Sequence, residues 1–110
     1  FGDNSKDIAN GITTDSSGNI YITGNTSGSL GGFSNQGQED YFLQKLDSSG
    51  NELWYKQSGF SKNDYGMSVE IDSSGNIFVA GQTWMAFDGY TQAGNGDLFV
   101  IKYDSNGNIQ

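Results

Sequence analysis

The chain contains no cysteine, no histidine and no arginine, and these three absences exclude more about function than anything present. Without cysteine there is no disulfide framework and no thiolate chemistry. Without histidine the commonest zinc ligand and general base are missing, so zinc catalysis and Ser-His triads within this chain are excluded. Five lysines stand against thirteen acidic residues, a net charge of −8. Phosphate binding depends on clustered cations, so nucleic acid is disfavoured as a partner, and anionic membrane surfaces likewise. No run approaches the roughly 20 apolar residues of a membrane span.

What remains is 110 residues, enough for one domain able to bury about two-thirds of its unfolded surface. Leu, Ile, Val and Phe supply only 23 of them. That is close to the roughly 20% below which a charged chain is suspected of disorder. The apolar residues nevertheless concentrate in short runs with six Tyr and two Trp. That pattern reads as a folded all-β chain with polar turns.

Those runs are organised around a five-residue turn, Asp15-Ser16-Ser17-Gly18-Asn19, written again at Asp47 to Asn51 and at Asp72 to Asn76. A fourth copy, Asp104-Ser105-Asn106-Gly107-Asn108, differs at one position. The leading Asp can accept hydrogen bonds from backbone N–H groups two or three residues on, and Gly takes positive φ without a Cβ penalty. Flanked by Ile20-Tyr21-Ile22-Thr23 or Ile77-Phe78-Val79-Ala80, each copy is expected to close a hairpin. The leading Asp residues are 32, 25 and 32 positions apart, so two turns make one 57-residue repeat. Offset by 57, residues 1–53 and 58–110 align without a gap and agree at 19 of 53 positions, which demands a shared fold.

Each repeat reads as four strands. In the first they are expected around Ile8 to Thr14, Asn19 to Gly24, Asp40 to Leu46 and Asn51 to Gln57; in the second, near Tyr65 to Ile71, Asn76 to Gly81 and Asp97 to Tyr103. Asn108 to Gln110 only begin a fourth. Around Tyr65 to Ile71 a period of two places Met67, Val69 and Ile71 on one face. Tyr41-Phe42-Leu43 and Leu98-Phe99-Val100-Ile101 are continuous apolar runs, expected of strands covered on both faces. A sheet with such middle strands sits between neighbours, as a propeller blade does; a sandwich is the alternative architecture.

The run from Asp7 through Gly11-Ile12-Thr13-Thr14-Asp15 to Thr26, then Asp40 to Asp47 and Leu53-Trp54, resembles the bacterial beta-propeller repeat called SBBP. The second repeat matches through Asp64, Val69, Asp72 to Gly81, Thr83 and Asp97 to Asp104. The family often has a proline between its second and third strands, where this chain has Phe33-Ser34 and Tyr90-Thr91. The resemblance implies a secreted or surface-associated bacterial propeller in a family with no single agreed activity. The expected fold is therefore all-β, two four-stranded antiparallel propeller blades that are part of a larger or oligomeric β-propeller. Residues 1–57 form the first blade and 58–110 the second, its outer strand truncated. Two blades cannot close a ring, so the expected partners are further blades, from the same longer chain or from identical copies. The start at Phe1 rather than Met reads as a processed protein or an excerpt, and an excerpt is preferred to a self-assembling two-blade unit because the shortened strand would expose an unpaired edge.

In an up-and-down meander the Asp turns share one end of the sheet. The long connections, roughly 25–39 and 82–96, share the other with the link near 58–63. Loops on rigid scaffolds carry binding, so the long-loop face is where a ligand is expected. An unrepeated stretch is Trp84-Met85-Ala86-Phe87-Asp88-Gly89-Tyr90, where the first repeat has Ser27-Gly28-Ser29-Leu30-Gly31-Gly32-Phe33. Trp84, Phe87 and Tyr90 are the candidate ligand-binding residues, suited to stacking on sugar rings or a partner protein; packing back between blades is the competing role.

Asp7 and Asp64, Asp40 and Asp97 recur before the first and third strands. A carboxylate ring could bind Ca²⁺, which takes six to eight oxygens, but capping of loops by accepting backbone N–H bonds is preferred. Lys45 and Lys102 are read as structural, their stems covering apolar surface. Trp54 is read as packing between blades, and the sequon at Asn25-Thr26-Ser27 as incidental. No metal and no cofactor are assigned, and the protein is expected not to be an enzyme. A carboxylate glycosidase or lyase needs two acids about 5–10 Å apart, and the candidates Glu39, Glu70 and Asp88, acids that the other repeat lacks, are not paired in sequence. The expected role is a non-catalytic extracellular binding or scaffold module contacting glycans or proteins. A structural assembly unit of a surface layer or filament is the alternative.

Overall fold

The computed structural model describes residues 6–27, 40–58, 64–83 and 97–110. All regular structure among them is β. Four strands, β1 (Asp7–Thr14), β2 (Ile20–Thr26), β3 (Asp40–Leu46) and β4 (Glu52–Ser58), pair in chain order as one antiparallel sheet. Three more, β5 (Asp64–Ile71), β6 (Ile77–Thr83) and β7 (Asp97–Tyr103), form a second. A single bridge from Tyr103 to Ile109 begins a fourth strand there. It stands 57 residues from the Leu46 to Glu52 pair of the first sheet, so the repeat read from the sequence holds for strand register.

The Asp turns close all four hairpins alike. Asp15 N donates to Asn19 O at 3.0 Å and Gly18 N to Asp15 O at 3.1 Å. Gly18, Gly50, Gly75 and Gly107 have φ between 84° and 88°. A three-residue loop ending on a left-handed glycine matches the twist of the strands it joins. The Asp side chain completes the lock, Asp15 Oδ1 accepting from the N–H groups of Ser17 and Asn19 at 2.9 and 3.0 Å. The donors stand two and four residues on, where two or three were expected. The closing Asn also engages the carboxylate through its side chain. The Asn19 amide donates to the second carboxylate oxygen at 2.9 Å, and Asn51, Asn76 and Asn108 do the same in their own turns.

Both first strands carry a β-bulge, Asn10 in β1 and Met67 in β5, each an unpaired extra residue. The bulge overturns the expected period of two. Val69 is buried while Met67 is half exposed, because the extra residue breaks the alternation between them.

The sheets pack face to face. Tyr21, Tyr41 and Leu43 from the first meet Val69, Ile77, Val79, Phe99, Ile101 and Tyr103 from the second in one buried cluster, with Trp54 and Ile71 at its margin. On its other face the first sheet buries Phe42 against Tyr55, with Ile22 beside them. Strand β3 is thus covered on both faces, as expected. Strand β7 is not: Phe99, Ile101 and Tyr103 are buried, but Leu98 and Val100 between them are exposed. The apolar run there marks a covered face and a bare one.

Candidate functional site

Strand register sorts the molecule into two ends. Thr14 pairs with Ile20 and Leu46 with Glu52 at the end of the Asp turns. Asp7 pairs with Thr26, Thr26 with Asp40 and Asp64 with Thr83 at the other. Both long connections therefore leave from this second end. Trp84, Phe87 and Tyr90 lie outside the described residues, as do Glu39 and Asp88. Glu70, the third of these acids, is exposed on β5.

At this end the strands carry a buried polar layer. Asn25, Thr26, Asp40, Gln57 and Asp64 are all buried at this end. Thr26 Oγ1 donates to Asp7 Oδ1. Tyr55 OH donates to Gln57 Oε1 at 3.0 Å, and Gln57 Nε2 to Asp40 Oδ2 at 3.1 Å. Asp7 and Asp40 thus tie neighbouring strands together by accepting from side chains. Among the described residues no three His, Cys, Asp or Glu side chains are grouped to hold a metal ion. Asn25 of the sequon is buried and its Oδ1 accepts from Asn10 Nδ2 at 3.0 Å, so that amide is part of the sheet junction.

Asn10 does more than this. From its bulge it also donates to Gly66 O of the second sheet at 2.9 Å. The sequence offered no signal for that contact beyond the polar residue itself. Other links between the sheets are the Tyr41 and Tyr103 hydroxyls, 3.0 Å apart, and Trp54 Nε1, which donates to Ser105 O at 3.3 Å. Trp54 also meets Tyr21 edge-on, so it packs between sheets. Lys45 Nζ lies 5.3 Å above the Tyr21 ring and donates to Ser105 O at 3.4 Å; Lys102 Nζ lies 5.8 Å above Phe78. Both lysines cover aromatic surface.

At the opposite end the aspartate carboxylates are engaged within their own turns. An open cleft of about 570 Å³ separates the Asp15 and Asp72 turns. Burial pushes the Asp15 carboxyl up, but hydrogen bonds from Asn19, Tyr21 and Ser17 outweigh it and hold the pKa at about 2. Asp47, Asp72 and Asp104 are likewise held below the ordinary carboxylate value, chiefly by Asn51, Asn76 and Asn108. Each carboxylate is committed to its own turn, which makes this end a structural cap.

The repeated meander, its locked turns and its face-to-face sheets are what a propeller repeat requires, and the SBBP beta-propeller repeat model matches residues 1–31 and 53–87. The chain belongs to the SBBP beta-propeller repeat family. Among curated relatives, the regulatory protein FlaEY of Caulobacter vibrioides is 27% identical over 111 residues. The match covers 88% of this SBBP chain and 12% of FlaEY, so the chain spans about an eighth of that relative's length.

Proposed function

We propose that the two sheets are two blades of a β-propeller and that the chain is a non-catalytic binding scaffold, displayed outside a bacterial cell. Its ligand, a glycan or a protein, is held at the end from which the long connections leave. One observation carries this reading: both long connections spring from the same end of two packed sheets, where a buried polar layer fixes the strand ends. Rigid support beneath variable loops is the usual arrangement of a binding surface. Bare apolar side chains on the outer faces, Leu98, Val100 and Ile12, favour blades over a closed sandwich, whose outer faces would be polar. The name of the bacterial relative, a regulatory protein, is compatible with a binding module. An acidic, cysteine-free chain suits the extracellular setting.

The ligand contact centres on Trp84, Phe87 and Tyr90. A stacking aromatic contributes on the order of 1–2 kcal/mol. Glycan-array and pull-down binding of the wild type and of Trp84→Ala/Tyr90→Ala tests the assignment, with melting temperature as the control for folding. Loss of binding by a well-folded double variant supports it, and retention of full binding sinks it. The exposed apolar faces of the two sheets favour a second role, as an assembly unit.

A further inference from the structure

The internal repeat sets contacts between the two sheets against positions 57 residues on, at the face the second sheet leaves bare; the Asn10 to Gly66 hydrogen bond has no such counterpart, since Met67 stands where Asn10 would. Tyr41, Leu43 and Val69 are 2, 0 and 3% exposed in the junction. Their repeat counterparts Leu98, Val100 and Ile12 are 86, 68 and 68% exposed. Leu98 and Val100 lie on the outer face of the second sheet and Ile12 on the outer face of the first. Three buried positions of the junction thus recur as the barest apolar positions among the described residues, divided between the two outer faces, whereas Phe99 recurs as Phe42, which is itself buried.

The two outer faces also match each other where the first sheet is bare, around Ile12, and along its neighbouring strands. In the junction Tyr41 meets Tyr103 hydroxyl to hydroxyl. Carried forward, the pair becomes Leu98 against Leu46, and both hydroxyls are replaced together. A Cβ on Gly66 would run into Thr23 Oγ1, so that close approach needs a glycine opposite the threonine. Carried forward, it becomes Ala80 against Ala9: the larger residue shrinks where the smaller one grows. Lys45, which reaches Ser105 O, becomes Lys102 facing Ser48. Gln44 stands where Ile101 would predict an apolar residue, and its amide is already tied to Glu52 at 2.9 Å. An unrelated partner would impose no such paired exchange, since the residues exchanged lie on opposite sides of this molecule.

We propose that the outer face of the second sheet, centred on Leu98 and Ala80, docks the outer face of the first sheet, centred on Ile12 and Ala9, of a second copy of this chain. The contact is head to tail and repeats the internal junction. It rests on the blade reading above. A head-to-tail contact closes into a ring when its rotation divides a full turn, and otherwise grows as a filament. Each copy carries a charge of −8, so the copies repel at long range and added salt strengthens the association.

Sedimentation of the chain over a range of concentrations tests this with two variants at exposed positions, Leu98→Glu and Ile12→Glu. Wild type is expected to associate with rising concentration and each variant alone to stay monomeric. An equimolar mixture should form a one-to-one dimer and stop there, because each variant retains the face that the other has lost. Circular dichroism confirms that both fold, and Val100→Glu replaces Leu98→Glu if the latter loses its β signal. A wild type monomeric throughout, Ile12→Glu associating alone as wild type does, or a mixture that stays monomeric would each overturn the proposal. Loss of the ligand contact at Trp84 and Tyr90 leaves this result unchanged, since Leu98 and Ile12 lie on the sheet faces.

Discussion

The phenolic oxygens of Tyr41 and Tyr103 lie 3.0 Å apart at the centre of the junction between the two sheets, with both side chains buried. Burial first, and then the neighbouring Tyr41, push the Tyr103 hydroxyl far above its ordinary pKa, so it stays protonated at any pH at which the protein is handled. Each hydroxyl is the other's partner across 62 residues of sequence.

Removing the Tyr41 hydroxyl takes this partner from the buried Tyr103 hydroxyl. Tyr41→Phe is expected to cost about 1–2 kcal/mol. Tyr41→Phe/Tyr103→Phe should cost less than the sum of the single changes, because no orphan remains. Denaturant unfolding of the four proteins in the cycle measures the coupling. Strict additivity would show that the hydroxyls do not depend on each other.

The four turn glycines share a backbone conformation but not their surroundings. Gly75 has φ of 84°, and an added Cβ would meet nothing closer than Ser105 at 3.9 Å, so Gly75→Ala should cost roughly 1 kcal/mol from φ alone. At Gly107 the same methyl would lie 2.9 Å from Lys56 Cε and 3.2 Å from the Trp54 ring. Gly107→Ala is therefore expected to lower the melting temperature more than Gly75→Ala. The reverse order would mean that Trp54 is not held over this turn.

Acid should unfold the protein through its turns. The Asp carboxyls are depressed in the folded state, so their stabilisation is full above the unfolded pKa of about 4 and is lost as pH falls through the folded values. For Asp15, with a folded value of about 2, the loss runs between about pH 4 and 2. Melting temperature against pH should fall steeply in that window. Asp15→Asn should flatten the profile there while lowering stability at neutral pH.

Trp54 holds the edge of the junction through its indole N–H to Ser105 O and its edge-on contact with Tyr21. Trp54→Phe keeps most of the apolar area and loses the hydrogen bond, at about 1 kcal/mol. Trp54→Ala loses both, and should cost about 2 kcal/mol or more for a partly buried side chain. A Trp54→Ala protein as stable as wild type would free this residue for a ligand role.

What the sequence by itself determined is whatever closes within a few residues or repeats at a fixed interval. The Asp turn is complete in five residues, so its hydrogen bonds, its left-handed glycine and the hairpin it closes follow from local chemistry. The 57-residue interval carries that result across the chain, and strands β3 and β7 were legible to the residue as Asp40–Leu46 and Asp97–Tyr103. Tertiary structure decided which faces those strands cover. A bulge at Met67 cancelled the alternation read for β5, and the same bulge at Asn10 aimed an amide at Gly66, 56 residues away. The apolar run of β7 read like that of β3, yet only β3 lies covered on both faces, because burial depends on what stands opposite a strand. The Tyr41 and Tyr103 pair and the Thr23 and Gly66 close approach likewise exist only once the sheets meet in register. Packing acts between residues that the chain keeps far apart, and no local pattern encodes that distance.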